Sequence, residues 1–274
     1  MRLRSLLFVP GDRPERMEKA LAMGADALIL DLEDAVAPSK KPEARGAVRA
    51  FLSAKRDVAL FVRVNPIDSD EAAADIDALT GAGFDGIVLP KAEGQASVDA
   101  LTARLPGDYR VLPVASETPR AVFELGTYKG DRLVGLTWGA EDLPAAIGAS
   151  SSREEDGSYT DPYKVVRALT LFGAHAAGVP AIETVWPDFR DLDGLAAYVA
   201  RGRRDGFTGM MAIHPTQVAV INAAFSPSEA ESAHARAVVA AFAANPGAGA
   251  LQLDGRMIDA PHLKAAQRLL ALAT

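Results

Sequence analysis

Eight short apolar runs recur along this 274-residue chain, each followed by a segment of different pattern, and that repeat leaves few architectures open. The runs fall at 5–9, 27–30, 59–64, 86–89, 111–114, 133–136, 181–185 and 209–213. They are continuous rather than alternating, as in strands buried on both faces of a parallel sheet. Segments at 14–23, 42–54, 71–80, 97–104, 119–125, 161–177 and 191–203 read as helices between them. Pro10-Gly11-Asp12 breaks the first run and Asn65-Pro66 stops the third, while Asp12 and Thr118 stand where helix caps belong. Eight β-then-α units in a chain of this length predict an α/β fold, a (β/α)8 TIM barrel closing as one catalytic domain over 1–225. A doubly wound open sheet is the alternative, weakened because the first strand-to-helix turn lacks G-x-G-x-x-G.

Beyond the repeat, 228–244 reads as a helix, 245–249 as a flexible link, and 251–259 with a last helix as the rest of a C-terminal helical appendage spanning 226–274. The polar segment at 149–160 reads as a mobile loop over the end of the sixth strand.

Charge and composition remove several functions. The net charge of −7 opposes binding to nucleic acid or to an anionic membrane, since both require a basic surface. With no cysteine, thiolate catalysis, iron–sulfur clusters and cysteine-ligated zinc are excluded. The four histidines, His175, His214, His234 and His262, show no H-E-x-x-H spacing. The first apolar run is too short for a signal peptide or a membrane span, which predicts a cytoplasmic protein.

In such barrels the active site is built at the carboxyl ends of the strands. Those ends carry Asp31, Glu33 and Asp34; Arg63 and Asn65; Lys91; Glu117; Glu141 and Asp142; Glu183; and His214. Glu117 and Asp142 end neighbouring strands, so they are either a Mg²⁺ site with positions left for water and substrate, or two solvated loop acids. Arg63 lies between Val62 and Val64 inside an apolar run. It is either a clamp on a carboxylate or developing enolate oxygen, or half of a structural ion pair. Asp31 and Glu33 alternate along one strand end and so face one side, where they could bond metal-bound water or cap the loop. Lys91 could neutralise an anion or form a Schiff base, or be an ordinary loop charge. His214 could be a general base or a capped strand end; the other histidines read as structural.

Arg4-Ser5-Leu6-Leu7-Phe8-Val9-Pro10-Gly11 and Leu30-Asp31-Leu32-Glu33-Asp34-Ala35-Val36 resemble the opening of the citrate lyase β-subunit family, within the HpcH/HpaI aldolase group. Malyl-CoA and citramalyl-CoA lyases are near relatives in that group. Val62-Arg63-Val64-Asn65, Ser116-Glu117-Thr118-Pro119, Gly139-Ala140-Glu141-Asp142-Leu143, Ile213-His214-Pro215 and Gly255-Arg256-Met257-Ile258-Asp259 extend the likeness over nearly the whole chain. The resemblance implies that Glu117 and Asp142 ligate Mg²⁺ and that Arg63 stabilises an enolate and holds the keto-acid. It places Asp31 and Glu33 near metal-bound water, and Arg13 and Lys19 against the CoA nucleotide. It gives Asp259 a role in proton transfer within a neighbouring subunit's site, in a homotrimer or hexamer. The implied activity is reversible Claisen cleavage of a citryl-, malyl- or citramalyl-type 3-hydroxy-3-carboxyacyl-CoA. The products are acetyl-CoA and a 2-oxo acid: oxaloacetate, glyoxylate or pyruvate. The alternatives are a CoA-independent class II aldolase on small hydroxy acids and a non-catalytic subunit of a lyase complex.

Overall fold

The computed structural model describes residues 1–273. Its first compact unit, Leu3–Asn222, carries the repeat. The first half runs β1 (Ser5–Pro10), α1 (Pro14–Ala20), β2 (Ala27–Asp31), α2 (Lys41–Leu52), β3 (Ala59–Arg63), α3 (Ala72–Leu79), β4 (Gly86–Leu89) and α4 (Gln95–Arg104). The second half runs β5 (Arg110–Pro113), α5 (Pro119–Glu124), β6 (Leu136–Thr137), α6 (Asp142–Ile147), α7 (Asp161–Ala176), β7 (Ala181–Glu183), α8 (Leu192–Asp205), β8 (Gly209–Ala212) and α9 (Pro215–Ala224).

The strands pair in parallel in the order β5-β4-β3-β2-β1-β8-β7-β6. The remaining seam is closed by the Val111 N–H donating to Arg132 O (2.8 Å), Val134 N–H to Val111 O (3.0 Å) and Ala115 N–H to Thr137 O (2.8 Å). The sheet is therefore a closed barrel, as the repeat predicts. The sixth strand differs from its expected span of 133–136. Residues 133–134 bond back to β5 and Leu136 pairs forward with β7, while Thr137 pairs on both sides, so the stagger of the barrel carries the strand to 136–137.

Side chains inside the barrel come in layers. Leu6, Ile29, Phe61, Val88, Leu112 and Ile182, one from each of six strands, are fully buried together. A Cβ at Gly86 would fall inside the Phe61 ring's space, so the glycine is what admits that ring. Because side chains alternate with a period of two, the next layer toward the carboxyl ends contains Phe8, Asp31 and Arg63. The apolar plug thus becomes polar within one step. The opposite parity points outward: Glu183, one residue past Ile182, is fully buried against the helices. Its carboxylate accepts from Trp138 Nε1 (2.9 Å), Tyr198 Oη (2.8 Å) and Arg167 Nε (2.5 Å).

Thr118 caps α5, its side chain accepting from the Ala121 N–H. Asp12 does not cap α1: Arg13 holds that position and no side chain bonds the helix start. The 149–160 segment is fastened as a narrow turn. Glu154 N–H donates to Ser158 O (2.8 Å) and Thr160 N–H to Ser152 O (3.0 Å). The Arg153 guanidinium lies over Tyr159 (4.1 Å) and Trp186 (5.3 Å).

The second unit begins at Ala223. It holds α10 (Glu229–Ala244), opened by a Ser228/Glu231 capping box, and α11 (Ala260–Ala273). Between them the 251–259 segment of the appendage forms a hairpin of β9 (Ala250–Leu253) and β10 (Arg256–Asp259). Asp254 and Gly255 both take positive φ (50° and 76°), the two-residue turn that Asp-Gly favours between twisted strands. Ile258 on β10 packs with Ala235, Val238 and Ala266 in a small core. No helix among the described residues is long and apolar enough to cross a membrane.

Replacing Arg167 by Met should leave Glu183 buried without its counter-charge. Removing one partner of such a pair costs about 3–5 kcal/mol, so thermal unfolding should fall by roughly 10 °C. An unchanged Tm would show that the pair contributes nothing to the barrel.

Candidate active site

The polar layer is organised by one bidentate ion pair. Asp31 and Arg63 are directly paired across β2 and β3. Arg63 Nε donates to Asp31 Oδ1 (2.7 Å) and Nη2 to Oδ2 (2.6 Å), while Nη1 lies 2.8 Å from Glu33 Oε2. The guanidinium sits over the Phe8 ring at 4.8 Å. Burial works against its charge, but the hydrogen bonds and charge of Asp31, with Glu33, hold Arg63 above the ordinary arginine range. Asp31 is fully buried, and its oxygens also accept the N–H groups of Glu33 (2.9 Å) and Ala35 (3.1 Å). Asp31 therefore fixes both the guanidinium and the loop that carries Glu33.

A second cation group supports that loop from beneath. Lys41, buried on α2, donates to Leu32 O (2.8 Å), Glu33 O (3.0 Å) and Asn65 Oδ1 (2.6 Å). Asn65 in turn gives its backbone N–H (2.7 Å) and Nδ2 (2.8 Å) to Asp75 Oδ2, and Arg45 Nε reaches Asp75 Oδ1 at 2.7 Å. The chain of contacts ties the ends of β2 and β3 to α2 and α3.

Glu117 lies across the barrel mouth, beyond β5. It is buried, and its Oε2 accepts the Lys91 backbone N–H at 2.6 Å. Gly139 leaves room for it, since a Cβ there would stand 2.9 Å from Glu117 Oε1. Burial pushes the Glu117 carboxyl up to about 8, against the Lys91 N–H and with the charges of Asp142 and Glu33 adding to the rise. Asp142 begins α6 with its side chain about one-third exposed. Lys91 links the two sides of the mouth: its Nζ is 3.2 Å from Glu33 Oε1 and 3.5 Å from Asp142 Oδ1. Glu33 is itself raised to about 6, chiefly by burial, with Arg63 opposing and Asp34 adding.

Asp31, Arg63, Glu117 and Asp142 border a cavity of about 280 Å³. Among the described residues Arg63 is the one cation on its wall, which also carries the acids Asp31, Asp34, Glu117, Glu141 and Asp142. Val114, Val185, Met211 and Ile213 supply an apolar side. A larger groove of about 560 Å³ lies by Leu60 and Asp85, at the amino ends of β3 and β4, away from this chemistry.

Glu117 suits a cation: it is a hard oxygen donor, desolvated, beside a second carboxylate and short of positive charge. With Asp142 it offers two carboxylates and an adjoining space, a donor set suited to Mg²⁺, which takes few protein ligands and keeps water. Among the described residues no three acids or histidines converge as a closed metal cage.

The other sequence candidates are placed as follows. Glu183 faces outward and is structural. Arg13 and Lys19 are exposed on and beside α1, off the cavity wall. His214 is half-buried, stacked on Phe189 at 4.7 Å and bonded through Nδ1 to Thr216. Asp259 belongs to the second unit, with Oδ1 2.5 Å from His262 Nδ1. Lys91 proves more than a loop charge, and Lys41, Asp75 and Gly139 are additions. Asp75 had one readable signal: an acid on the helix face it shares with Ala72, Ile76 and Leu79.

Residues 4–215 match the family described as HpcH/HpaI aldolase/citrate lyase. A citrate lyase subunit beta-like protein of Mycobacterium tuberculosis is 40% identical over 97% of this chain and 94% of its own. A (3S)-malyl-CoA thioesterase of Cereibacter sphaeroides is 35% identical, over 98% and 94%. The mitochondrial citramalyl-CoA lyase of Rattus norvegicus is 33% identical, over 99% and 86%. A crystal structure of CitE from M. tuberculosis with magnesium, acetoacetate and coenzyme A superposes with a TM-score of 0.85 at 38% identity, covering 99% of this chain and 98% of that one.

The raised Glu117 carboxyl sets a pH signature. Between about 4.5 and about 8 the unfolded chain has lost this proton while the metal-free folded chain keeps it. Stability should therefore fall as pH rises through that window, and Mg²⁺ should reverse the fall with release of a proton. Glu117→Gln should flatten that part of the profile. Parallel Tm-against-pH curves for the two metal-free proteins would remove the assignment.

Proposed function

The chain belongs to the HpcH/HpaI aldolase/citrate lyase family and is a carbon–carbon lyase; within that family we propose that it cleaves a 3-hydroxy-3-carboxyacyl-CoA to acetyl-CoA and a 2-oxo acid. The observation that carries this reading is the pairing of a desolvated carboxylate, Glu117, with a clamped guanidinium, Arg63, on one cavity wall. The first calls for a cation; the second offers a fixed positive charge for an oxyanion.

Glu117 and Asp142 would hold Mg²⁺, which when bound supplies a Lewis acid for the hydroxyl and carboxylate oxygens of the substrate. Arg63 turns its guanidinium to the same space. Its orientation is set beforehand by Asp31 and Phe8, so little reorganisation accompanies charge development on oxygen. In the cleavage the hydroxyl proton goes to a base, the O–H electron pair becomes the new carbonyl, and the carbon–carbon pair passes to the acetyl thioester as its enolate. Protonation at carbon then gives acetyl-CoA. We assign that proton to Asp259 of a neighbouring copy, which requires at least a dimer and fits a trimer or hexamer. Arg13 and Lys19, exposed at the first helix, are assigned to the CoA nucleotide.

The thioesterase relative favours a second reading, in which the same site hydrolyses the thioester. Product identity separates the two. Incubation of citryl-, malyl- and citramalyl-CoA with Mg²⁺ should yield acetyl-CoA and the matching oxo acid; free CoA with the intact hydroxy acid would establish hydrolysis instead. Turnover should vanish with EDTA and in Glu117→Gln, and fall about 10²–10³-fold in Arg63→Met. Asp259→Ala should lose turnover while keeping Mg²⁺ binding, and full activity in that variant would take Asp259 out of the mechanism.

A further inference from the structure

Lys91 holds an uncommon backbone conformation, with φ of 49°. Among the described residues only Asp254 shares positive φ without being glycine, and Asp254 has a hairpin turn to account for it. A lysine gains nothing from this conformation locally, and left-handed residues of this kind cost free energy unless the surroundings impose them. The surroundings here are specific. The conformation aims the Lys91 N–H at Glu117 Oε2, while the side chain runs to Glu33 and Asp142. One residue thus touches three acids of the mouth, two of them the proposed metal ligands.

Those acids would otherwise repel each other. Arg63 is committed to Asp31 and Glu33, with Asp34 at 3.9 Å. Lys91 reaches Asp142, its ammonium 3.5 Å from Oδ1.

We propose that Lys91 is a positioning residue with two separable tasks: its strained backbone fixes Glu117, and its ammonium serves as the resident counter-cation of Asp142 and Glu33, competing with the divalent ion. This rests on the reading of Glu117 and Asp142 as the Mg²⁺ ligands. The side chain keeps the acid cluster assembled without metal, and because it repels the arriving ion it also limits affinity. Lys91 sets how tightly the metal is held as well as where.

The test is a titration of metal-free protein with MgCl₂ by calorimetry, alongside thermal unfolding, for wild type, Lys91→Met, Lys91→Arg and Lys91→Gly. Lys91→Met keeps the N–H and loses the charge. It should lower the metal-free Tm yet bind Mg²⁺ on the order of tenfold more tightly, so that added Mg²⁺ raises its Tm further than in wild type. Lys91→Arg keeps the charge and should retain an affinity near that of wild type. Lys91→Gly should share the tighter binding while recovering part of the lost stability, because glycine adopts the conformation without strain. A merely structural lysine would make Mg²⁺ binding weaker or unchanged in the Met and Gly variants, and that result overturns the inference while leaving the metal site in place. If Lys91→Met does not fold, the Arg and Gly variants decide by the same comparison. Wild-type protein that binds no Mg²⁺ would remove the metal site and the inference together.

Discussion

Like charges gathered in a low-dielectric space are the constraint on which this structure depends. A parallel barrel collects its functional groups at one end, and here that end is crowded with carboxylates. Each would be solvated at little cost on a surface loop. Beside an apolar plug of Leu6, Ile29 and Phe61 they need cations or protons, and the surrounding fold supplies a limited number of both.

The cations are spent unequally, and the inequality gives the site its character. Asp31 receives a complete share: two bonds from Arg63 and two backbone N–H groups. It is a fixed part of the frame. Glu33 has Arg63 and Lys91 but pays in burial, and is raised to about 6. Glu117 has one backbone N–H and is raised to about 8. The gradient runs from a carboxylate satisfied by protein to one that protein leaves unsatisfied. Electrostatics of this kind identify where a ligand's charge belongs, because the group left short of positive charge interacts most strongly with an added cation. Lys41, Asn65, Asp75 and Arg45 extend the satisfied side of that gradient downward, locking the β2 and β3 loops so that Arg63 does not follow Glu117 or Asp142.

The order of elements could be read from the chain because each apolar run is bounded by breakers and each helix has its own period. Glu117, Asp142 and Arg63 were legible for the same reason: strand ends in a barrel converge. What the runs do not carry is parity. A continuous apolar strand gives no sign of which residue faces inward, so Glu183 looked equivalent to Asp31 although one points to the helices and the other into the barrel. Lys91 was obscure because its part depends on a backbone angle that no residue type announces at that position. The hairpin before the last helix was announced by Asp254-Gly255, between Leu253 and Arg256, and needed only the turn rule to be seen.

The second unit adds a chemical condition of its own. Asp259 is half-buried at the end of β10, and its hydrogen bond with His262 holds its carboxyl below the ordinary range. A carboxylate so stabilised is a poor proton donor near neutral pH, because the proton must first be placed on it against that bond. For Asp259 to protonate an enolate, it must exchange His262 for a drier and more negative setting, which raises a carboxyl by desolvation and by like charge. The mouth of a barrel such as this one offers both, in Val185, Met211 and Ile213 on one side and the acid cluster on the other. On the proposed delivery of Asp259 from a neighbouring copy, such a setting would raise its carboxyl in the direction that proton donation requires.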